Sequence, residues 1–186
     1  GGLCGDAGRS SVLIDCSSAS QVVGGNMLGG LVGSCDGWVE RCAAFGSVRG
    51  EDQVGGLIGR LGASRTNGTT GVISQCSSAA AVEGADEVGG LIGSCKGLVH
   101  DCRVGEAGVD GSNDVGGLIG RVVFEHYSWD TEPIVPVVER CLTLAPVFGT
   151  DAVGAAVGWN DGGRVAGSFW NADTAGLPAC GGGDVA

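Results

Sequence analysis

Cysteine is the residue type with the most chemical capacity in this chain of 186 residues, which contains nine of them. Two similar segments, "SCDGWVERC" and "SCKGLVHDC", each hold two cysteines at the same separation. In an oxidising compartment, this copied separation predicts disulfide bridges. The predicted pairs are Cys35–Cys42, Cys95–Cys102 and, across a longer turn, Cys4–Cys16. Because the total is odd, at least one thiol is free or intermolecular, and Cys180 is the candidate.

Acid–base chemistry has two weak candidates, His100 beside Asp101 and His126 near Asp130. Neither provides a positioned base with a set of charged partners, which the cleavage of a polysaccharide requires. Zinc binding is not predicted, because the chain has no CxxC motif and its two histidines are far apart in sequence. We therefore predict no catalytic residue, no metal site and no cofactor.

Acidic and amide residues recur between the apolar segments and raise the question of calcium binding. Calcium requires about six to eight converging oxygen ligands. The dense aspartate repeat of calcium-binding solenoids is absent from this sequence. The residues concerned are therefore predicted to be solvated turn residues, and they are Glu51, Asp52, Asp86, Glu87, Asp110, Asn113, Asp114 and Asp151.

The hexapeptide "VGGLIG" occurs at 54–59, 88–93 and 115–120 and resembles a glycine-rich phosphate loop. A phosphate loop needs a following helix, and a P-loop also needs a Lys-Ser or Lys-Thr pair. Here the motif is followed by Ser-Cys, Arg-Leu or Arg-Val. We predict instead that the glycine pair marks a sharp corner, where a Cβ atom would collide with neighbouring backbone.

The glycine pairs belong to an internal repeat. They begin at residues 1, 29, 55, 89, 116 and 154, the last as Gly-Ala, which gives a unit of about 26–28 residues with two longer units. Each unit also carries the phrase Val-x-Gly-x-(Asn/Asp), and an apolar residue three positions before a cysteine. The cysteine column is Cys16, Cys42, Cys76, Cys102 and Cys141, with Ser168 in the last unit. Cys102 is displaced by one residue, which predicts a bulge.

Short Val-, Ile- and Leu-rich segments separated by Gly and Asx residues predict β-strands rather than helices. Units this short bury an apolar face only by stacking, so the repeat predicts an all-β parallel β-helix, or β-solenoid, of about six coils. Like residues then form ladders with a spacing of about 4.8 Å, and neighbouring cysteines of one ladder would also lie within disulfide range. The Asx column is predicted to form turns with positive φ.

The segment "GWVERCAAFGSVRGEDQVGGLIG" and the closing "VAGSFWNADTAG" resemble the GLUG repeat of bacterial cell-surface and secreted proteins, including large adhesins. The resemblance covers residues 1–176 and implies an extracellular β-solenoid with an adhesive or structural role. It transfers no catalytic residue. Residues 177–186 are predicted to be a glycine-rich C-terminal tail.

Two insertions, 61–71 and 122–136, leave the coil at the same point and are expected on one side of the rod. The second insertion is either a partner-binding loop or a loop that covers the flank of the rod. Its candidate binding residues are His126, Tyr127, Trp129, Asp130 and Glu132. Asn67 lies in an N-glycosylation sequon, which matters only in a eukaryotic source.

Trp38 and Leu98 occupy equivalent positions and are predicted to pack rather than to recognise a ligand. Phe169 and Trp170 are predicted to cap the last coil. Missing threonine columns argue against ice binding.

The composition limits the classes of molecule that this chain is expected to bind. A net charge of −11 argues against nucleic acid and anionic membranes, and no apolar run is long enough to span a bilayer. The sequence begins within a repeat and without Met, which predicts a processed chain or a fragment. We expect a non-enzymatic, extracellular or cell-surface module that binds copies of itself, neighbouring repeats, or host proteins or glycans. A glycan-binding or glycan-cleaving β-helix that uses the 122–136 loop is the alternative.

Overall fold

The computed structural model describes residues 1–63, 70–124, 134–175 and 182–183. These residues form short strands in four parallel sheets, which wind as a solenoid and confirm the predicted β-solenoid fold. We name the four sheets A, B, C and D in the order in which each coil passes through them. The next coil then begins again in sheet A.

Sheets A and B hold the first two strands of every coil. Sheet A contains β1 (Cys4–Ala7), β5 (Val32–Cys35), β9 (Ile58–Leu61), β13 (Ile92–Cys95), β18 (Ile119–Val123), β23 (Val157–Asp161) and β26 (Gly182–Gly183). Sheet B contains β2 (Val12–Ile14), β6 (Trp38–Glu40), β10 (Val72–Ser74), β14 (Leu98–His100), β19 (Val137–Glu139) and β24 (Arg164–Ala166). The segment predicted as a tail therefore supplies β26.

Sheets C and D complete each coil. Sheet C contains β3 (Ser17–Val23), β7 (Ala43–Arg49), β11 (Ser77–Glu83), β15 (Arg103–Val104), β16 (Val109–Asp110), β20 (Leu142–Thr143), β21 (Val147–Phe148) and β25 (Phe169–Trp170). Sheet D contains β4 (Asn26–Gly29), β8 (Asp52–Gly55), β12 (Asp86–Gly89), β17 (Asn113–Gly116) and β22 (Asp151–Gly154). A single helical turn, α1 (Ala172–Ala175), follows β25.

The core consists of apolar ladders, as the repeat predicts. Leu57, Leu91 and their equivalents form one ladder, and Ile73, Val99 and their equivalents form another, all with no more than 1% exposure in the four middle coils. Burial of each such side chain stabilises the fold by about 1.5–3 kcal/mol. The hydrophobic effect along these ladders therefore holds successive coils together.

The passage from sheet D to sheet A, which we name the arch, confirms the predicted role of the glycines. A Cβ atom on Gly89 would overlap the carbonyl oxygen of Ile92 and would lie 2.7 Å from the nitrogen of Gly120. A Cβ atom on Gly120 would lie 2.5 Å from the nitrogen of Val88 in sheet D. Sheets A and D thus approach backbone to backbone, a distance that only glycine allows.

The positive-φ positions differ from the prediction. The Asx residues do form a ladder, in which Asn26, Asp52, Asp86, Asn113 and Asp151 pair in register. The left-handed residue is the next one in each coil: Met27, Gln53, Glu87, Asp114 and Ala152. A second left-handed column precedes the cysteines: Asp15, Arg41, Gln75, Asp101 and Arg140. Two corners of each of the first five coils therefore use non-glycine residues in this conformation, whereas the sixth coil has Gly167 at the second corner.

The cysteines form a ladder of thiols rather than the predicted disulfides. All eight described cysteines are free thiols. The amide of Cys42 donates to Sγ of Cys76 at 3.3 Å, and the amide of Cys141 donates to Oγ of Ser168 at 3.2 Å. Serine thus replaces the cysteine in the last coil, as expected.

The three predicted disulfides, Cys35–Cys42, Cys95–Cys102 and Cys4–Cys16, are not formed, because each joins a residue of sheet A to the corner beyond sheet B. A strand of sheet B, about 10 Å long, separates the two positions of each pair.

Burial also affects the ionisation of the thiols. It raises the pKa of Cys42 to about 11 and that of Cys95 to about 12.

The displacement at Cys102 is a bulge, as predicted. Ser78 and Val82 of β11 pair with Val104 and Val109, so the fourth coil holds one more residue between the same two ladder positions. The extra residue divides the sheet C strand into β15 and β16.

The two insertions leave the same corner, between sheets A and B, in the third and fifth coils. Residues 62–71 join β9 to β10, and residues 124–136 join β18 to β19. Ala63 and Thr70 form an isolated antiparallel bridge at the base of the first insertion. Both insertions therefore leave the rod beside the outer face of sheet B.

The two ends of the described rod differ. In the first coil Leu3 is 54% exposed, although its ladder neighbour Leu31 is fully buried. In the last coil Trp170 packs against the core and β26 pairs with β23, whereas Phe169 is exposed. Of the two aromatic residues predicted to cap this end, Trp170 alone contacts the core.

Candidate binding face on sheet B

The outer surface of sheet B carries three columns of side chains, which together we name the sheet B face. Strand alternation places Val39 in the core and its neighbours Trp38 and Glu40 outside. The apolar column is Val12, Trp38, Val72, Leu98 and Val137, the polar column is Glu40, Ser74, His100 and Glu139, and the charged column is Asp15, Arg41, Gln75, Asp101 and Arg140.

Trp38 lies on this face and not in the core. Trp38 is 46% exposed, and its Nε1 donates a hydrogen bond to Oε2 of Glu40 at 3.2 Å. This hydrogen bond fixes the orientation of the indole on the surface. Of the two residues predicted to pack, Leu98 is half-buried and Trp38 is exposed.

Two depressions lie along the apolar column. The larger, about 250 Å³, is lined by Trp38, Asp36, Arg9, Thr70 and Val72, among others. The smaller, about 170 Å³, is lined by Leu98, Val99, His100, Val137 and Glu139. Because Val72 and Leu98 are adjacent rungs, the two depressions follow one line parallel to the rod axis.

The larger depression contains a carboxylate, that of Asp36, with one buried oxygen that lacks a hydrogen-bond partner. This oxygen is Oδ1, and Nη1 of Arg60 is 4.0 Å away from it. A buried polar atom without a partner is rare and costs free energy. The repeat pattern does not single out Asp36, and Trp38 is predicted to pack, although the alternation around the core residue Val39 already places Trp38 outside.

The charged column holds two ion-pair clusters. Arg140 donates to both carboxylate oxygens of Asp101, at 2.8 and 3.0 Å, and to Glu139 at 2.6 Å. Nδ1 of His100 lies 2.9 Å from Oδ2 of Asp101. Arg140, followed by His100, lowers the pKa of Asp101 below its ordinary value. A carboxylate held this way is a poor proton acceptor.

The same arrangement joins the first and second coils, where Arg41 donates to both carboxylate oxygens of Asp15 and to Glu40.

The residues predicted to bind partners lie outside the described residues. They are His126, Tyr127, Trp129, Asp130 and Glu132. Asn67 and Cys180 also lie outside them. What the structure does show is the base of the first insertion, where Oγ1 of Thr70 donates to the carbonyl oxygen of Lys96 at 3.5 Å and lines the larger depression.

A groove of about 570 Å³ on sheet C is bordered by Val23 and Phe148, with Arg49, Glu83 and Asp110 between them. Arg49 and Glu83 form an ion pair across the centre of this groove. Its charged groups therefore partly satisfy one another.

The acidic turn residues of sheet D are not all solvated, contrary to the prediction. The side chains of Glu87 and Asp114 are each 14% exposed and lie 3.6 and 3.4 Å from Nη1 of Arg121. Burial raises the pKa of Asp114, with Arg121 opposing. No group of ligating side chains suited to a metal ion occurs within the described ranges.

No helix in the described part of the chain is long and apolar enough to cross a membrane. Comparison of the chain with known proteins finds no matching family model, no matching curated protein and no matching solved structure.

Proposed function

We propose that this chain is a non-enzymatic structural and adhesive module of an extracellular or cell-surface protein, and that it binds a partner through the sheet B face. The observation that carries the proposal is the exposed Trp38, oriented by Glu40 beside the unsatisfied carboxylate of Asp36. An exposed, oriented aromatic side chain beside unsatisfied polar groups is typical of a recognition surface.

The rod supports this role because it holds the face rigid. Each residue of the face sits in a ladder whose backbone is paired on both sides in the middle coils. The resemblance to GLUG repeats agrees with an adhesive module. The His100–Asp101 pair, already engaged by Arg140, supplies no argument for catalysis.

An adhesion assay tests the proposal. Beads coated with the protein, with Leu98→Asp or with the matched Phe45→Ala variant are added to a panel of cell surfaces and extracellular-matrix coatings. Phe45 is exposed to the same extent as Trp38, at 46%, but lies on sheet C. Loss of adhesion with Leu98→Asp and its retention with Phe45→Ala are expected. Equal adhesion of all three would reject the sheet B face.

A second interaction, end-to-end stacking, is favoured by the first coil. Its core-ladder residues Leu13, Val22 and Leu28 are only half-buried, and Leu3 is 54% exposed. Their neighbours in the second and third coils, Leu31, Val39, Val48 and Val54, are buried. A further coil of the same repeat would continue the ladders and cover this end, and a second copy of the chain would supply one. Sedimentation of the chain and of Leu13→Asp tests this. Self-association that the variant abolishes is expected, whereas a strictly monomeric rod would contradict stacking.

A further inference from the structure

We propose that the sheet B face binds a neutral, β-linked hexose chain, with one sugar ring stacked on Trp38. This inference rests on the proposed function and names the chemistry of its partner. The first argument is the indole itself. A pyranose ring with equatorial hydroxyls has a flat face of C–H groups, which packs well on an exposed aromatic face. The hydrogen bond to Glu40 keeps the indole from rotating and so pre-organises that platform.

The rim of the larger depression supplies hydrogen-bonding groups for a polyol. Asp36 offers a carboxylate that accepts hydrogen bonds from hydroxyl groups, and Arg9, Ser10 and Ser11 also line the depression. The Asp36 side chain is 30% exposed, and Nη1 of Arg60 stays 4.0 Å from its buried Oδ1. A sugar hydroxyl would donate a charge-assisted hydrogen bond to this carboxylate from the solvent side.

The direction of the groove indicates a chain rather than a single ring. The apolar column runs along the rod from Val12 to Val137, with rungs about 4.8 Å apart. An extended β-linked hexose chain has a repeat close to that spacing. Its successive rings would lie over Trp38, Val72 and Leu98 and reach the second depression, where His100 and Glu139 offer polar groups.

The charges favour a neutral saccharide. The larger depression is bordered by one carboxylate, Asp36, and one guanidinium, Arg9, whose charges offset each other, and the chain has a net charge of −11. An acidic sugar would be repelled by that net charge. A peptide is also disfavoured. The backbone of the middle strands of sheet B is already paired with both neighbours, so no free strand edge is offered for β-augmentation.

Titration of the protein with defined oligosaccharides tests the inference. The probes are the tetrasaccharides of β-1,4-linked glucose and of β-1,4-linked N-acetylglucosamine, with an oligogalacturonate as the acidic comparison. Binding is followed by calorimetry and by the indole N–H signals in NMR spectra, where the signal missing from Trp38→Ala identifies Trp38. We expect a neutral probe to bind and to shift that signal.

Three variants give the expected pattern. Trp38→Ala should weaken binding by about tenfold or more, and Trp38→Phe should restore part of it, because a smaller aromatic face remains. Asp36→Asn should weaken binding severalfold. Phe45→Ala, on sheet C, should bind as the unaltered protein does. Thermal unfolding of each variant separates lost binding from lost folding.

The contrary outcomes are distinct. The inference is overturned if no neutral probe binds at up to about 10 mM, if Trp38→Ala binds unchanged, or if the acidic probe binds more tightly. Should the saccharides fail while Leu98→Asp still abolishes bead adhesion, only the saccharide assignment is wrong. Should adhesion also be unaffected, the proposed function fails with it.

Discussion

The chain passes from sheet D to sheet A through two residues in every coil, whereas the passage from sheet A to sheet B varies. In the second coil it consists of residues 36–37, and in the third and fifth coils of residues 62–71 and 124–136. The arch packs backbone against backbone, so an added Cβ atom collides with atoms that cannot move. The corner between sheets A and B faces outward, and insertions there displace nothing in the core.

This contrast distinguishes the arch, which maintains the fold, from the sheet B face, which we propose binds a partner. The arch repeats "VGGLIG" because a Cβ atom at its glycine positions collides with backbone, and only the sixth coil departs from the glycine pair, with Ala155 at its second position. Sheet B, at the other side of sheet A, repeats only its inward residue, while its outward residues change from coil to coil: Trp38, Val72, Leu98 and Val137. Variation confined to the outer columns allows a surface to acquire a binding role without loss of the fold.

The largest expected effect tests the arch. Gly89→Ala should lower the free energy of unfolding by about 3 kcal/mol, or prevent folding, because the new Cβ atom meets backbone atoms. Gly108→Ala, between β15 and β16, is the matched control, since a Cβ atom there has no neighbour within 4 Å. Its free energy of unfolding should change by no more than about 0.5 kcal/mol. Urea unfolding measures both, and equal losses would refute the contrast.

A second test compares two leucines. Leu91 is fully buried beneath the arch, and Leu98 is half-buried on the sheet B face. Leu91→Ala should cost about 2–5 kcal/mol of unfolding free energy, and Leu98→Ala less than about 1 kcal/mol. Chemical denaturation resolves the difference. A loss for Leu98→Ala as large as that for Leu91→Ala would show that the sheet B face is part of the core.

The pH dependence should have opposite signs in the two regions. The folded pKa of Asp101, on the charged column, is lowered by Arg140, so its stabilising contribution is present above its unfolded pKa of about 3.9 and is lost as the pH falls. The folded pKa of Asp114, near the arch, is raised by burial, so its contribution is present below about pH 3.9 and is lost as the pH rises.

Melting temperatures of Asp101→Asn and Asp114→Asn, compared with the unaltered protein between about pH 2 and 6, check this. The advantage of the unaltered protein over Asp101→Asn should grow with pH, and its advantage over Asp114→Asn should shrink. Two differences that change in the same direction would contradict the assigned pKa shifts.

The smallest expected effect concerns the thiols. Because the eight described cysteines are free, a reductant should leave the melting temperature of the protein unchanged. Titration of the denatured, unreduced protein with a thiol reagent should find at least eight thiols. A lower thiol count, or a melting temperature that changes with reductant, would show that some of these cysteines form disulfide bonds.

The sequence predicts the fold well because the solenoid is made by local repetition. Cys42, Val48 and Asp52 each recur in every full coil, and in-register stacking needs no information beyond that recurrence. Even the bulge after Cys102 follows from counting. The prediction failed where distance in the chain was taken for distance in space, as with Cys35 and Cys42, which β6 separates. It also failed for Trp38, because apolarity was read as burial without regard to strand alternation.

The sequence alone predicts the repeat, the strand segments, the stacked ladders and the corner that receives the insertions. Each of these depends only on the order and spacing of residue types. The tertiary structure alone decides which corner residues adopt positive φ and that Trp38 and Asp36 meet in one depression on sheet B. These features depend on contacts between coils, where residues 26 or more positions apart become neighbours, and no local pattern specifies how their side chains meet.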